Sequence, residues 1–318
     1  MKLLKTTTII IIIALASAQQ LFAQTDIDAI MMEKNAFCVG PMYSYGSWKN
    51  YWEGTKKRDN ENLGTVSTQM FSVMGNYGVS EKLNLLFNVP YVRTKASAGQ
   101  LRGMKGFQDL SLMVKYRPVN KKIGYARLAV FGIAGVSTPL TNYVADHLPL
   151  SIGLKSRTAM TRLMVDYYYN NKWFVTASGT YVFRDNIRID RNSYYTTELI
   201  LSDEVFMPNV TTFNIRAGWR TQYLIAEAVF NNMTTQGGFD ITKNNMPFPG
   251  NRMNASSIGA NFKYVFKKAD HLSLTGGVHQ VIAGRNMGQS TNLNFGVFYV
   301  FDLSKKQKQA TSSSSSNQ

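Results

Sequence analysis

The sequence predicts an all-β chain, a single antiparallel up-and-down transmembrane β-barrel of about twelve strands. Three observations carry that expectation. Extended segments with one apolar and one polar face follow each other almost without a break. Their connections alternate between short and long, which places all the short turns at one end. An export signal opens the chain, and no later run is long and apolar enough to cross a membrane as a helix.

Residues 1–23 read as that signal peptide. Lys2 and Lys5 form the charged start, Ile9 to Leu15 the apolar run, and small residues follow. Cleavage after Ala18 or after Ala23 fits, and Ala23 is preferred. Residues 24–36 form a short lead, periplasmic or plug-like, with one or two helical turns expected. The barrel is assigned to 37–303, and the tail 304–318, rich in Lys, Gln and Ser, reads as disordered.

Within the barrel, strands are expected at 37–47, 65–78, 83–93, 106–117, 125–138, 151–169, 173–184, 210–220, 223–231, 255–267, 271–284 and 291–302. Each is near or above the ~9–11 residues that a tilted strand needs to cross a bilayer. The span 106–117 shows the pattern well. Gln108, Leu110, Leu112, Val114 and Tyr116 share one face, while Phe107, Asp109, Ser111, Met113, Lys115 and Arg117 share the other. In a barrel the first face meets lipid and the second the lumen. Segments 83–91, 210–220, 255–267 and 291–302 repeat it, with aromatics towards their ends. The segment 151–169 exceeds one crossing and is expected to extend above the bilayer. Residues 187–201 fit either an external hairpin or two more strands.

The short connections are Ser80 to Lys82, Val119 to Gly124, Asn170 to Lys172, Thr221-Gln222 and Lys268 to Asp270. The intervening connections are long except for the brief Arg285 to Ser290. Pro247 and Pro249 stiffen the segment from Asn244 to Gly250, which can fold over the mouth.

Composition agrees with this reading. The 318 residues are 44% hydrophobic, 17% charged and 12% aromatic. A mean hydropathy of −0.18 excludes a polytopic helical membrane protein. The net charge of +16 raises nucleic acid as a partner, but the basic residues are scattered rather than gathered in an arm. They suit turns, lumen walls and attraction to anionic head groups. The lone Cys38 allows no internal disulfide and reads as an ordinary strand residue.

The lumen-facing charges are the candidates for function: Asp109, Lys115, Arg117, Arg162, Asp166, Arg216, Arg220, Glu227, Lys263 and His279. Inside a barrel such groups must be paired or hydrated. They form either mutual salt bridges or part of a solute path. Asp109 follows a turn, where a carboxylate can equally bond the backbone amides of that turn. No Ser–His pair suited to an outer-membrane hydrolase, no Cys/His metal spacing and no phosphate-binding glycine loop is evident. Neither an enzyme nor a cofactor is therefore expected.

Three stretches resemble a known family. Tyr77 to Leu85, followed by Pro90-Tyr91-Val92, resembles a "YGVTDKLNL" hairpin. Gly106 to Leu112 with Lys115-Tyr116-Arg117 resembles a "GxGDLxLxxKYR" signature, with Gln108 where the family usually has Gly. Val136 to Pro139 resembles the strand end that follows. These motifs belong to the outer-membrane barrels labelled as the meta-pathway of phenol degradation. The match covers roughly 70–140 and is topological beyond. It implies outer-membrane transporters, similar to hydrophobic-compound channels, with no catalytic site. The expected function is a channel for small hydrophobic or amphipathic solutes. A non-catalytic scaffold in a secretion or surface-attachment complex is the alternative. The expected partners are outer-membrane lipid and such a solute, with a periplasmic or outer-membrane protein partner left open.

Overall fold

The structure is a computed structural model that describes residues 27–241 and 245–304. The signal assigned to 1–23, the first part of the lead and the tail beyond residue 304 lie outside the described residues.

Twelve long antiparallel strands close into one barrel. They are β1 (Ala36–Trp48), β2 (Val66–Ser80), β3 (Leu83–Ala96), β4 (Asp109–Ile123), β5 (Ala126–Pro139) and β6 (Thr158–Tyr169). They continue with β7 (Trp173–Arg184), β8 (Val210–Arg220), β9 (Leu224–Thr235), β10 (Asn254–Phe266), β11 (Ala269–Arg285) and β12 (Thr291–Asp302). Each strand pairs with its neighbours in sequence, and β1 closes the circle against β12 from Ala36↔Asp302 to Ser47↔Thr291. Closure removes the unpaired edges that an open sheet would leave in lipid.

The short turns follow from residues that tolerate a left-handed backbone. Asn170 and Asn171 have φ of 49° and 52° between β6 and β7, and Gly124 has φ of 59° between β4 and β5. The outward face is apolar: Leu85, Leu112, Val114, Leu163, Val165 and Phe295 are all exposed. Aromatics gather near both ends of the strands. At the short-turn end Trp173 and Trp219 face each other with ring centroids 5.9 Å apart. At the long-loop end Tyr91 and Phe107 meet edge to face at 5.3 Å.

The structure corrects several expectations. Phe107 lies on the outward face, not in the lumen, because Lys105–Phe107 pairs with β3 one residue out of step with β4. Tyr91↔Phe107 and Asn88↔Ser111 cannot belong to one register, and a single-residue slip exchanges the faces of a strand. The 151–169 segment is not one continuous strand. Its strand begins at Thr158, and the preceding residues turn back over the mouth, where Leu150 is fully buried. Residues 187–201 add no barrel strand. Ile187–Arg188 pairs with Glu204–Val205, and Tyr194–Tyr195 with Leu199–Ile200. The described part of the lead holds no helix.

The external loops share an apolar core of their own. Ala145, Ile187, Ile189, Tyr194, Val205, Met207 and Phe248 pack together. Asn286, 1% exposed, knots this end: its carbonyl accepts from Gly54 and Ile241, and its amide donates to Asp240 and to the Arg252 carbonyl.

Candidate functional site: the barrel lumen

The residues before β1 fold back into the barrel instead of leaving it. The Asn35 amide bonds the Gly78 carbonyl at 2.7 Å. A Cβ at Gly78 would lie 1.9 Å from the Glu33 carbonyl oxygen, so glycine is what lets the lead pass so close to the wall. Further in, Met32 packs with Ala36, Cys38, Phe298 and Val300, and Ala29 with Ala129, Phe131, Ile133 and Met164. Lys115 is fully buried beneath the lead. Its ammonium donates to the Asp28 carbonyl at 2.5 Å, to the Ile30 carbonyl at 2.9 Å and to the Asp28 carboxylate at 3.2 Å. It also lies 5.6 Å from the Phe131 ring centroid. A charge in such a place is tolerated because its donors are satisfied.

The other lumen charges form two sets. In the first, Arg216 donates to Glu227 at 2.8 Å and to Asn214 at 3.2 Å. The Asn261 amide donates to Glu227 at 2.8 Å, and its carbonyl lies 2.8 Å from His279 Nε2. With that amide orientation, Nε2 of His279 is the protonated nitrogen. This chain of bonds crosses the inner faces of β8 to β11. In the second set, Arg220 donates to both oxygens of Asp166, at 3.1 and 3.3 Å, and Thr176 donates to the same carboxylate at 2.6 Å. The Arg220 guanidinium lies over the Phe174 ring at 4.0 Å. Arg162 donates to Thr180 at 2.7 Å.

Arg216, Glu227, Lys263 and His279 are brought together on one wall of a cavity of about 280 Å³. Ile27 and Asp28 of the lead, Met42, Met74, Ile225, Asn294 and Phe298 complete it. Arg162 lines an adjoining space of about 200 Å³ that also touches Ile27. Arg117 and Arg220 stand apart, lining a vestibule of about 730 Å³ at the short-turn end beside Ala29, Ile30 and Met31. There Arg117 donates to the Glu81 carbonyl at 2.9 Å.

Asp109 sits at the other end and holds a loop rather than the amides of its own turn. The Tyr143 hydroxyl donates to its carboxylate at 2.8 Å and accepts from the Lys155 amide at 2.8 Å. Burial, reinforced by the Asp109 charge, pushes the Tyr143 phenol well above its usual range, so it remains a donor. Beside it, Thr94 donates to the buried Leu150 carbonyl at 2.5 Å.

Sequence reading missed Asp28 and the apolar wall residues Met42 and Met74. The methionines were available from the inward alternation of β1 and β2, whereas nothing local shows that the lead turns inward.

Strand topology and an apolar belt around a polar interior define an outer-membrane β-barrel. A family model described as "Putative MetA-pathway of phenol degradation" matches residues 66–296, and the chain belongs to that family. The fold is similar to the COG4313 outer membrane channel from Pseudomonas putida F1, with a TM-score of 0.70 at 13% identity over 88% of this chain and 100% of that one. The translocator domain of the autotransporter NalP from Neisseria meningitidis gives 0.47 at 10% identity, over 86% of this chain and 91% of that one. The CymD monoaromatic hydrocarbon channel gives 0.39 at 10% identity, over 86% and 89%. No curated protein sequence matches the chain.

Proposed function

We propose that the barrel is a non-catalytic channel that admits small hydrophobic or amphipathic solutes through the central cavity. The observation that carries this reading is the cavity itself, which lies in the lumen against the lead. Its wall is apolar on the side of Met42, Met74 and Phe298 and polar on the side of Arg216, Glu227 and His279. Dry cavities of about 150 Å³ hold benzene, so about 280 Å³ accommodates a substituted aromatic ring. The polar wall suits a hydroxyl or carboxylate on that ring. The family description, which names phenol degradation, supports the same solute class, as does the channel fold.

The domain layout that belongs to this reading keeps 1–23 as the export signal, 24–36 as the plug, 37–303 as the barrel and 304–318 as a polar tail. The ten lumen charges then divide their work. Lys115 anchors the plug, and Asp109 holds the loop cap. Asp166 with Arg220 braces the wall, and Arg162 and Arg117 border the way in and out. Arg216, Glu227, Lys263 and His279 meet the solute.

Uptake of labelled phenols, benzoates and sugars into proteoliposomes tests the reading. Entry of the aromatic compounds faster than of sugars of similar mass is expected. Absence of uptake for every compound, with the barrel correctly refolded, contradicts it.

A further inference from the structure

The outward face of β3 changes character abruptly at the long-loop end. Leu85, Phe87 and Tyr91 are followed on the same face by Arg93 and Lys95. The segment Lys105–Phe107 pairs alongside and sets Lys105 directly opposite Arg93. Residues opposite each other on one face lie about 5 Å apart, and residues two apart along a strand about 7 Å. Three cations therefore share a small area of the outer wall. All three are exposed, and none is in an ion pair with any described residue. Like charges placed directly opposite destabilise a ladder unless an anion compensates them.

The level of the cluster indicates which anion. Tyr91 and Phe107 lie immediately beneath it in edge-to-face contact, and Phe71 is the partner of Tyr91 on β2. Aromatic girdles sit at the head-group level of a membrane, with acyl chains on their apolar side. Arg93, Lys95 and Lys105 thus stand where the outer leaflet carries its phosphates. They flank one of the long connections, which places them on the external side.

We propose that Arg93, Lys95 and Lys105 form a binding site for the phosphate groups of the outer-leaflet glycolipid. Arg93 supplies a planar fork for bidentate contact with a phosphate, and the two lysines supply point charges. The acyl chains run down over Tyr91, Phe107 and Phe71. The site holds a structural lipid on the outer wall and does not depend on what passes through the lumen.

Native mass spectrometry of the refolded barrel in neutral detergent tests this. The probes are diphosphorylated lipid A, lipid A stripped of both phosphates, and phosphatidylglycerol. The barrel is expected to retain one diphosphorylated lipid A, with occupancy falling at least tenfold for the stripped lipid. R93Q/K95Q/K105Q is expected to show the same fall, while its heat-modifiable migration in gels stays that of a folded barrel. Equal retention of stripped and phosphorylated lipid A overturns the proposal, whatever the variant does. So does undiminished binding by the folded triple variant, or phosphatidylglycerol bound as tightly as lipid A.

Discussion

Arg220 and Asp166 show what a charge in the lumen requires. Their side chains are 9% and 1% exposed, two hydrogen bonds join them, and Thr176 and Phe174 complete the environment. Removing one partner strands the other in a medium that solvates it poorly, at a cost of about 3–5 kcal/mol. Arg220→Met is therefore expected to lower the urea midpoint of the micelle-bound barrel strongly, and Arg220→Met with Asp166→Leu to recover much of the loss. Similar midpoints for all three proteins would mean that the pair is hydrated and does not hold the wall. At the external end, Asp240 behaves differently. Bonds from Arg285 hold its carboxyl below the ordinary 3.8, aided by Asn286 and opposed by partial burial. A depressed folded-state value contributes stability that is complete above the ordinary value and is lost as pH falls through the lower one. Limited proteolysis of the 236–253 loop should thus be constant from neutral pH down to about 4 and rise only below it. A rise between pH 7 and 5 would assign the clip to another group.

Among the elements, the strands were legible and their partners in space were not. Every expected strand has a counterpart in the barrel, because period-two alternation and turn residues are local signals. Phe107 lies on the face opposite to the one alternation predicts, because the slip at Gln108 depends on pairing with β3, which no local pattern reports. The same holds for the site. Inward charges on β8 to β11 follow from alternation, but their convergence on one cavity depends on closure of the barrel. The lead is the clearest case. Its sequence is short and mixed, and only Gly78, Lys115 and the methionine-lined wall give it a place. Gly78→Val is expected to push Glu33 and Met32 off the wall, since even a Cβ would lie 1.9 Å from a backbone oxygen there. Hydrogen exchange should then show faster exchange at the Asn35 amide with the barrel strands unchanged. Unaltered protection at Asn35 would mean that the lead does not depend on this close approach.

At the scale of the whole molecule, a closed sheet with an apolar exterior leaves the interior as the only place where polar groups can gather. Twelve strands enclose a narrow lumen, and each of its ends carries further structure. The external loops pack on an apolar core of their own at one, and the lead, pinned by Lys115, lies inside the other. Between them lies the cavity through which small solutes pass on the proposed function. If the barrel is the channel proposed above, its own N-terminal segment obstructs the path. Single-channel recording in planar bilayers tests it most directly, comparing the refolded barrel with one lacking residues 24–34. Brief, rare openings are expected for the intact protein, and a sustained, several-fold larger current once the segment is removed. Equal currents from the two proteins, with both barrels folded, would contradict it.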